Sequence, residues 1–289
     1  MSERYHVDGE LVSASEATVS VRDRGFMYGD GVFETLRVYG GEIFEWEAHA
    51  DRLRRSGETL GFADALPSRD SLQGRIQETL EANGLTDAYA KVSVTRGVQP
   101  GKLTPEPDVD PTVVVYTAAL PRGGSDGQRV WDEPAALSIV EQRKPAKTAL
   151  PADAKTHSYL NSILARLELR DTEADEAIMR SVDGVLAEGA TSNLFFVAGE
   201  TLYTPGDSVP LLPGITRDVV VDIADDAGIS TETGEYEPDR LADATEVFVT
   251  NSTWEIRPVT RVDDWEYELG PVTRELQRQF DERVDSLYD

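Results

Sequence analysis

Short strand-like runs, each stopped by a glycine turn, recur between residues 5 and 262 and interleave with segments of helical period. That alternation is the mark of an α/β (α+β) fold. Residues 5–12 read as a hairpin broken at Asp8-Gly9, and a strand over 32–39 turns at Gly40-Gly41 and returns through Ile43-Phe44. Helical spacing runs from Glu47 to Leu60, with Leu53 and Leu60 on one face. Ser68 is placed as the N-cap of a helix ending near Asn83-Gly84. Strands over 89–95 and 112–117 follow.

Pro121-Arg122-Gly123-Gly124-Ser125-Asp126-Gly127 has the composition of a linker. The chain is therefore divided into a smaller N-terminal α/β domain over 1–120, a connection over 121–128 and a larger C-terminal domain over 129–289. In the second domain a strand is expected over 130–141, a helix over 158–169, and strands over 176–181, 185–187 and 193–198 with a turn at Asp183-Gly184. A helix over 215–227 and strands over 246–250 and 258–262 follow. The last helix carries an apolar stripe of Val272, Leu276, Phe280, Val284 and Leu287, which docks it to the core.

Composition narrows the function. No apolar run is long enough to span a bilayer, and the start lacks a basic segment followed by an apolar one, so a cytoplasmic protein is expected. Cysteine is absent, which removes thiol nucleophiles and thiolate metal sites, and the three histidines are far apart in sequence, so no metal centre is expected. The net charge of −26, with 54 acidic and 28 basic residues, disfavours nucleic acid and anionic membranes as partners. A surface so acidic fits a salt-rich interior in which self-repulsion is screened, and such a chain is expected to lose its fold when salt is withdrawn.

Three segments could carry chemistry. Lys155 lies in Ala154-Lys155-Thr156-His157-Ser158-Tyr159-Leu160-Asn161, just before a helix. A lysine that is a neutral amine in a pocket can bond covalently to a carbonyl compound. Glu188 ends the apolar run of Val185-Leu186-Ala187 and is followed by small residues up to Asn193-Leu194-Phe195. A buried carboxylate there needs a cationic partner, and a protonated pyridine nitrogen is one. Leu211-Leu212-Pro213-Gly214-Ile215-Thr216-Arg217-Asp218 opens a helix whose free N–H groups attract phosphate.

In this order and spacing the three segments resemble the class IV aminotransferases, which include branched-chain aminotransferases, D-amino-acid aminotransferases and 4-amino-4-deoxychorismate lyases. The resemblance extends to residues 23–35, Asp23-Arg24-Gly25 through Phe33-Glu34-Thr35, and to His49-Ala50-Asp51-Arg52-Leu53. It implies a two-lobed fold, with a barrel-like sheet in the larger lobe and pyridoxal 5'-phosphate in the cleft. Lys155 would hold that cofactor and shuttle the substrate's α-proton. Glu188 would keep the pyridine nitrogen protonated. Arg52 would grip the phosphate, with the N–H groups of Ile215 and Thr216 and the hydroxyl of Ser252. Tyr159 would approach the phenolic oxygen. Tyr28, Thr35, Lys91, Arg96, Arg143 and Thr253 would face the substrate. The resemblance also implies a homodimer, with Tyr28, Arg96 and the loop over 98–110 at shared or lid positions.

Marks of the reaction diverge. D-amino-acid enzymes place an Arg and a His after a Thr-Arg-Gly element to trap a carboxylate. Here Thr95-Arg96-Gly97 is followed by Gly101-Lys102-Leu103, and the trap is missing. Phe33-Glu34-Thr35-Leu36-Arg37 and Thr250-Asn251-Ser252-Thr253 look more like the aminodeoxychorismate lyases than the Phe-Glu-Gly and Gly-Thr-Ala forms of branched-chain enzymes. Arg143-Lys144-Pro145 lies in a loop that could close over an anionic substrate. The favoured reaction is conversion of 4-amino-4-deoxychorismate to 4-aminobenzoate and pyruvate. An amino-acid transaminase is the alternative, and an inactive small-molecule-binding relative is the alternative outside enzymes.

Overall fold

Asp8 and Gly9 take positive φ, 48° and 100°, and close a hairpin of β1 (Arg4–Val7) and β2 (Glu10–Ser13). A computed structural model describes residues 3–122 and 131–288. The described chain falls into two units, the first of residues 3–122 with 154–158 and 288, the second of 131–153 with 159–287.

In the first unit α1 (Arg24–Tyr28) precedes β3 (Gly31–Tyr39), β4 (Glu42–Ile43), α2 (Trp46–Thr59), α3 (Arg69–Asn83), β5 (Ala88–Thr95) and β6 (Val113–Ala119). The strands form one antiparallel sheet in the order β2-β1-β6-β5-β3-β4. β3 is buried on both faces except at Thr35. The helices cover one face, where Leu53, Ile76 and Leu80 meet Leu36, Val38, Ala90 and Val92. α3 has the expected limits. The Ser68 hydroxyl accepts from Ser71 N–H at 3.2 Å, and Gly84 takes φ 65° at the other end. The segment Ala154–Ser158 belongs to this unit although it follows the start of the other. Phe33 N–H donates to the Lys155 carbonyl at 3.1 Å, and His157 N–H to that of Gly31 at 2.9 Å.

The second unit carries β7 (Ala135–Arg143), α4 (Leu160–Leu167), β8 (Glu176–Arg180), β9 (Leu186–Gly189), β10 (Asn193–Ala198), β11 (Thr201–Pro205), α5 (Ile215–Asp226), β12 (Ser230–Gly234), β13 (Glu246–Asn251), β14 (Glu255–Val262), β15 (Trp265–Glu266) and α6 (Pro271–Asp285). Its nine strands run β12-β11-β10-β13-β14-β7-β8-β9, with β15 on β14, in a curled half-barrel sheet. The β7–β8, β7–β14 and β11–β12 pairs are parallel. α6 buries Leu276, Phe280 and Val284 of the expected stripe.

Several boundaries differ from the sequence expectation. The strand expected from 130 begins at Ala135, after Pro134, and the connection over 123–128 lies outside the described residues. The strand expected from 258 begins at Glu255 and runs through Pro258, with a register shift between Val259 and Arg261. A proline lacks the ladder donor, and a nearby bulge relieves that loss. Among the described residues no helix is long and apolar enough to cross a membrane.

Candidate active site

The backbone of Lys155 is fixed on both sides. Its N–H donates to the Ser56 hydroxyl at 2.9 Å and its carbonyl accepts from Phe33. Its Nζ stands 4.6 Å from the centroid of the Phe33 ring, and Lys91 Nζ stands 4.4 Å from the same centroid. Burial pushes the Lys91 ammonium below its usual range. The His157 ring lies 5.7 Å from that of Phe33. Burial, aided by the charge of Lys91, depresses His157 to about 4, so the imidazole is neutral at physiological pH.

A second cluster in this unit fixes Arg52. Glu34 on β3 accepts from Arg52 Nε at 2.9 Å and Nη2 at 2.7 Å, and its Oε2 lies 2.7 Å from His49 Nδ1. All three side chains are buried. Burial raises the Glu34 carboxyl, but the charge and hydrogen bonds of Arg52 and His49 outweigh it and hold the group at about 2. Burial depresses His49 against the pull of Glu34, so Arg52 is the principal charge partner of the carboxylate.

Other expected contacts in this unit have different surroundings. Arg96 Nε donates to Asp30 at 2.9 Å, Nη2 donates to the Leu60 carbonyl at 2.5 Å, and the guanidinium lies over Phe62. Arg96, expected at the substrate, has its Nε and Nη2 engaged by the fold. Its neighbours in the Thr-Arg-Gly element are engaged too. Thr95 Oγ1 donates to Asp23 at 2.7 Å, and a Cβ on Gly97 would meet the Asp110 carbonyl oxygen at 1.9 Å. Arg24 lies 5.0 Å over the exposed Tyr28 ring and donates to the carbonyls of Lys102 and Leu103 at 2.7 and 3.0 Å. The loop at Gly101–Leu103 is thus tied down at its carbonyls by the Arg24 guanidinium. Thr35 shares a side-chain hydrogen bond with Tyr89.

In the second unit Glu188 sits on the fully buried β9. Its Oε2 accepts from Leu212 N–H at 2.9 Å, and its Oε1 lies 2.6 Å from Lys144 Nζ. The turn after β9 is built by Glu176, a fully buried carboxylate. It accepts from Thr191 N–H at 3.0 Å and Ser192 Oγ at 3.3 Å, and pairs with Arg166 at 3.0 Å.

Gly214 is the N-cap of α5 and provides no side-chain cap, so the first-turn N–H groups of Ile215 and Thr216 are available to an anion. Only glycine fits there: a Cβ would meet Asn193 Oδ1 at 1.9 Å. Asn193 Nδ2 in turn donates to the Leu212 carbonyl at 3.0 Å. This uncapped, glycine-lined helix start fits a phosphate. Glu188, an acceptor held by two donors with lone pairs to spare, fits a protonated ring nitrogen. Ser252 and Thr253 lie on a turn built by Asn251, whose Oδ1 accepts from Thr253 N–H and Thr253 Oγ1 at 3.0 Å and from Trp254 N–H at 2.6 Å. Tyr159 sits half-buried at the start of α4. Arg143 Nη1, at the end of β7, is buried without a hydrogen-bond partner among the described residues. No cluster of His, Asp or Glu able to hold a metal occurs among the described residues.

Lys144 was placed only in a basic loop by the sequence, and nothing local links it to Glu188. The family model for amino-transferase class IV matches residues 31–262. A putative branched-chain-amino-acid aminotransferase of Methanocaldococcus jannaschii is 34% identical over 281 residues, covering 96% of this chain and 95% of that protein. The aminodeoxychorismate lyase of Bacillus subtilis is 30% identical over 286 residues, covering 98% and 95%. The crystal structure of a branched-chain aminotransferase from Thermoproteus uzoniensis with norvaline superposes with a TM-score of 0.90 at 29% identity, covering 100% of this chain and 97% of that one.

Proposed function

Because the chain belongs to the class IV aminotransferase family, whose enzymes depend on pyridoxal 5'-phosphate, we propose that it is a lyase converting 4-amino-4-deoxychorismate to 4-aminobenzoate and pyruvate. The turn at residues 250–253 carries the reading. Its lyase-like form is made by Asn251, whose side-chain oxygen takes three donors that a glycine at this place would leave without it. Similarity over 98% of the chain to a lyase supports the same choice.

When bound, the cofactor supplies an electron sink for bond breaking at the substrate's α-carbon. The chain's own groups bind, orient and move protons. Lys155 is the covalent anchor and takes the α-proton at Nζ. Glu188 holds the proton on the ring nitrogen. Arg52, oriented by Glu34, is a phosphate ligand of the first unit, and Ile215 N–H, Thr216 N–H and the Ser252 hydroxyl are phosphate donors of the second. Tyr159 orients the ring's phenolic side. Lys91 and Arg143 are contacts for substrate carboxylates, and Tyr28, Thr35 and Thr253 are further substrate contacts. Lys91 has a ring face but no anionic partner among the described residues, as suits a cation that waits for a carboxylate.

The second reading is a branched-chain transaminase, favoured by the 34% identity to the archaeal protein and the 0.90 TM-score of the norvaline complex. A product assay separates the two. The loaded protein in high salt is offered aminodeoxychorismate, and in separate reactions leucine or D-alanine with 2-oxoglutarate. Release of 4-aminobenzoate supports the lyase. Glutamate without 4-aminobenzoate overturns it.

We further propose a homodimer. Leu160, Ile163, Leu164 and Leu167 form an exposed stripe at helical spacing on α4, a pattern that water disfavours and a second copy would cover. The wild type is expected to sediment as a dimer and Ile163→Glu to shift it to monomer. A monomeric wild type overturns this.

A further inference from the structure

Glu188 already has two donors before any ring nitrogen is considered. Leu212 N–H reaches Oε2 at 2.9 Å, and Lys144 Nζ lies 2.6 Å from Oε1. Both charged side chains are nearly dry, with 14% of Lys144 and 9% of Glu188 exposed. Lys144 is itself fixed at the end of β7, where its N–H donates to the Arg180 carbonyl at 2.9 Å. Glu188 has no other ionic partner among the described residues. The pair is therefore short, sheltered and held from both sides, unlike a surface ion pair that solvent screens.

We propose that Lys144 is a positioning residue. It is a resident second cation on Glu188 that aims the carboxylate and weakens the hold of Glu188 on the proton of the cofactor's ring nitrogen. This rests on the reading of Glu188 as the partner of that nitrogen. The reasoning is electrostatic. A carboxylate offers about four lone-pair sites, so Glu188 can keep both present donors and accept a third. Two cations that share one anion repel each other, and the one that can lose its proton is destabilised by the other. An alkylammonium is a far weaker acid than a pyridinium, so the ring proton is the one affected. The chain thus sets the strength of its electron sink below the level Glu188 alone would give. A lysine serving only as a brace for β9 would leave that level unchanged.

The test uses the loaded full-length protein with pyridoxal 5'-phosphate labelled with ¹⁵N in the ring. The ¹⁵N shift is followed from neutral to alkaline pH in the wild type, Lys144→Met and Lys144→Arg. Lys144→Met is expected to keep the ring proton to higher pH, by about tenfold or more in proton affinity. Lys144→Arg is expected to follow the wild type, because it restores the charge. An unchanged titration in Lys144→Met, or a shift in the opposite direction, overturns the proposal. If Lys144→Met does not fold, Lys144→Gln carries the same comparison, since it keeps a hydrogen-bond donor without the charge. A wild type that takes up no cofactor removes the parent reading and this inference with it. A wild type that binds cofactor beside an unmoved variant removes this inference alone.

Discussion

Lys155→Ala is expected to abolish the visible absorption that covalently held cofactor gives and to lower turnover by on the order of 10⁴-fold or more. The expectation is large because one amine would do two jobs, anchoring the cofactor and carrying the α-proton. It is also specific. The segment around Lys155 is held by its backbone, through Ser56 Oγ and Phe33 N–H, and alanine keeps both bonds. Stability is therefore expected to change by less than about 1 kcal/mol. Absorbance after incubation with pyridoxal 5'-phosphate, turnover and thermal unfolding are measured on the same two proteins. A variant that keeps the absorption band, or full turnover, moves the anchor away from Lys155.

Parts of the candidate site are legible in the sequence because each has a local signature. A lysine before a helix, a carboxylate after an apolar run and a Pro-Gly at a helix start are all legible within a few residues. Local capping was equally legible, as Ser68 and Gly84 on α3 demonstrate. What escaped was non-local. The pairing of Lys144 with Glu188 joins the end of β7 to β9, and no short-range pattern announces it. The contacts of Arg96 escaped for the same reason. Asp30, the Leu60 carbonyl and Phe62, all distant in sequence from the Thr-Arg-Gly element, engage its guanidinium. The return of Ala154–Ser158 to the first unit was hidden too, since a five-residue excursion leaves no mark in composition.

Glu34→Ala is expected to destabilise the first unit by about 3–5 kcal/mol at neutral pH, the usual cost of stranding one member of a buried ion pair. Glu34 is 1% exposed, and its loss leaves the Arg52 guanidinium buried without its carboxylate and His49 Nδ1 without its acceptor. The pH dependence checks the cause independently. Burial alone would raise the Glu34 carboxyl, yet Arg52 and His49 bring it from 4.5 down to about 2. A group depressed in the folded state contributes its full stability above its unfolded value and loses it as pH falls through its folded value. The contribution of Glu34 is thus present above about pH 4.5 and disappears toward about pH 2, a span that corresponds to about 3 kcal/mol. Glu34→Gln, which keeps an acceptor but carries no charge, should flatten the acid limb of the stability curve over that window. Denaturant unfolding of the wild type and both variants at neutral and acidic pH reads both effects. If Glu34→Gln follows the wild-type acid limb, the charge on Glu34 is not what holds Arg52. The charge of Glu34 would then not be what aims Arg52 at phosphate, and a neutral acceptor at that place would suffice to orient the guanidinium.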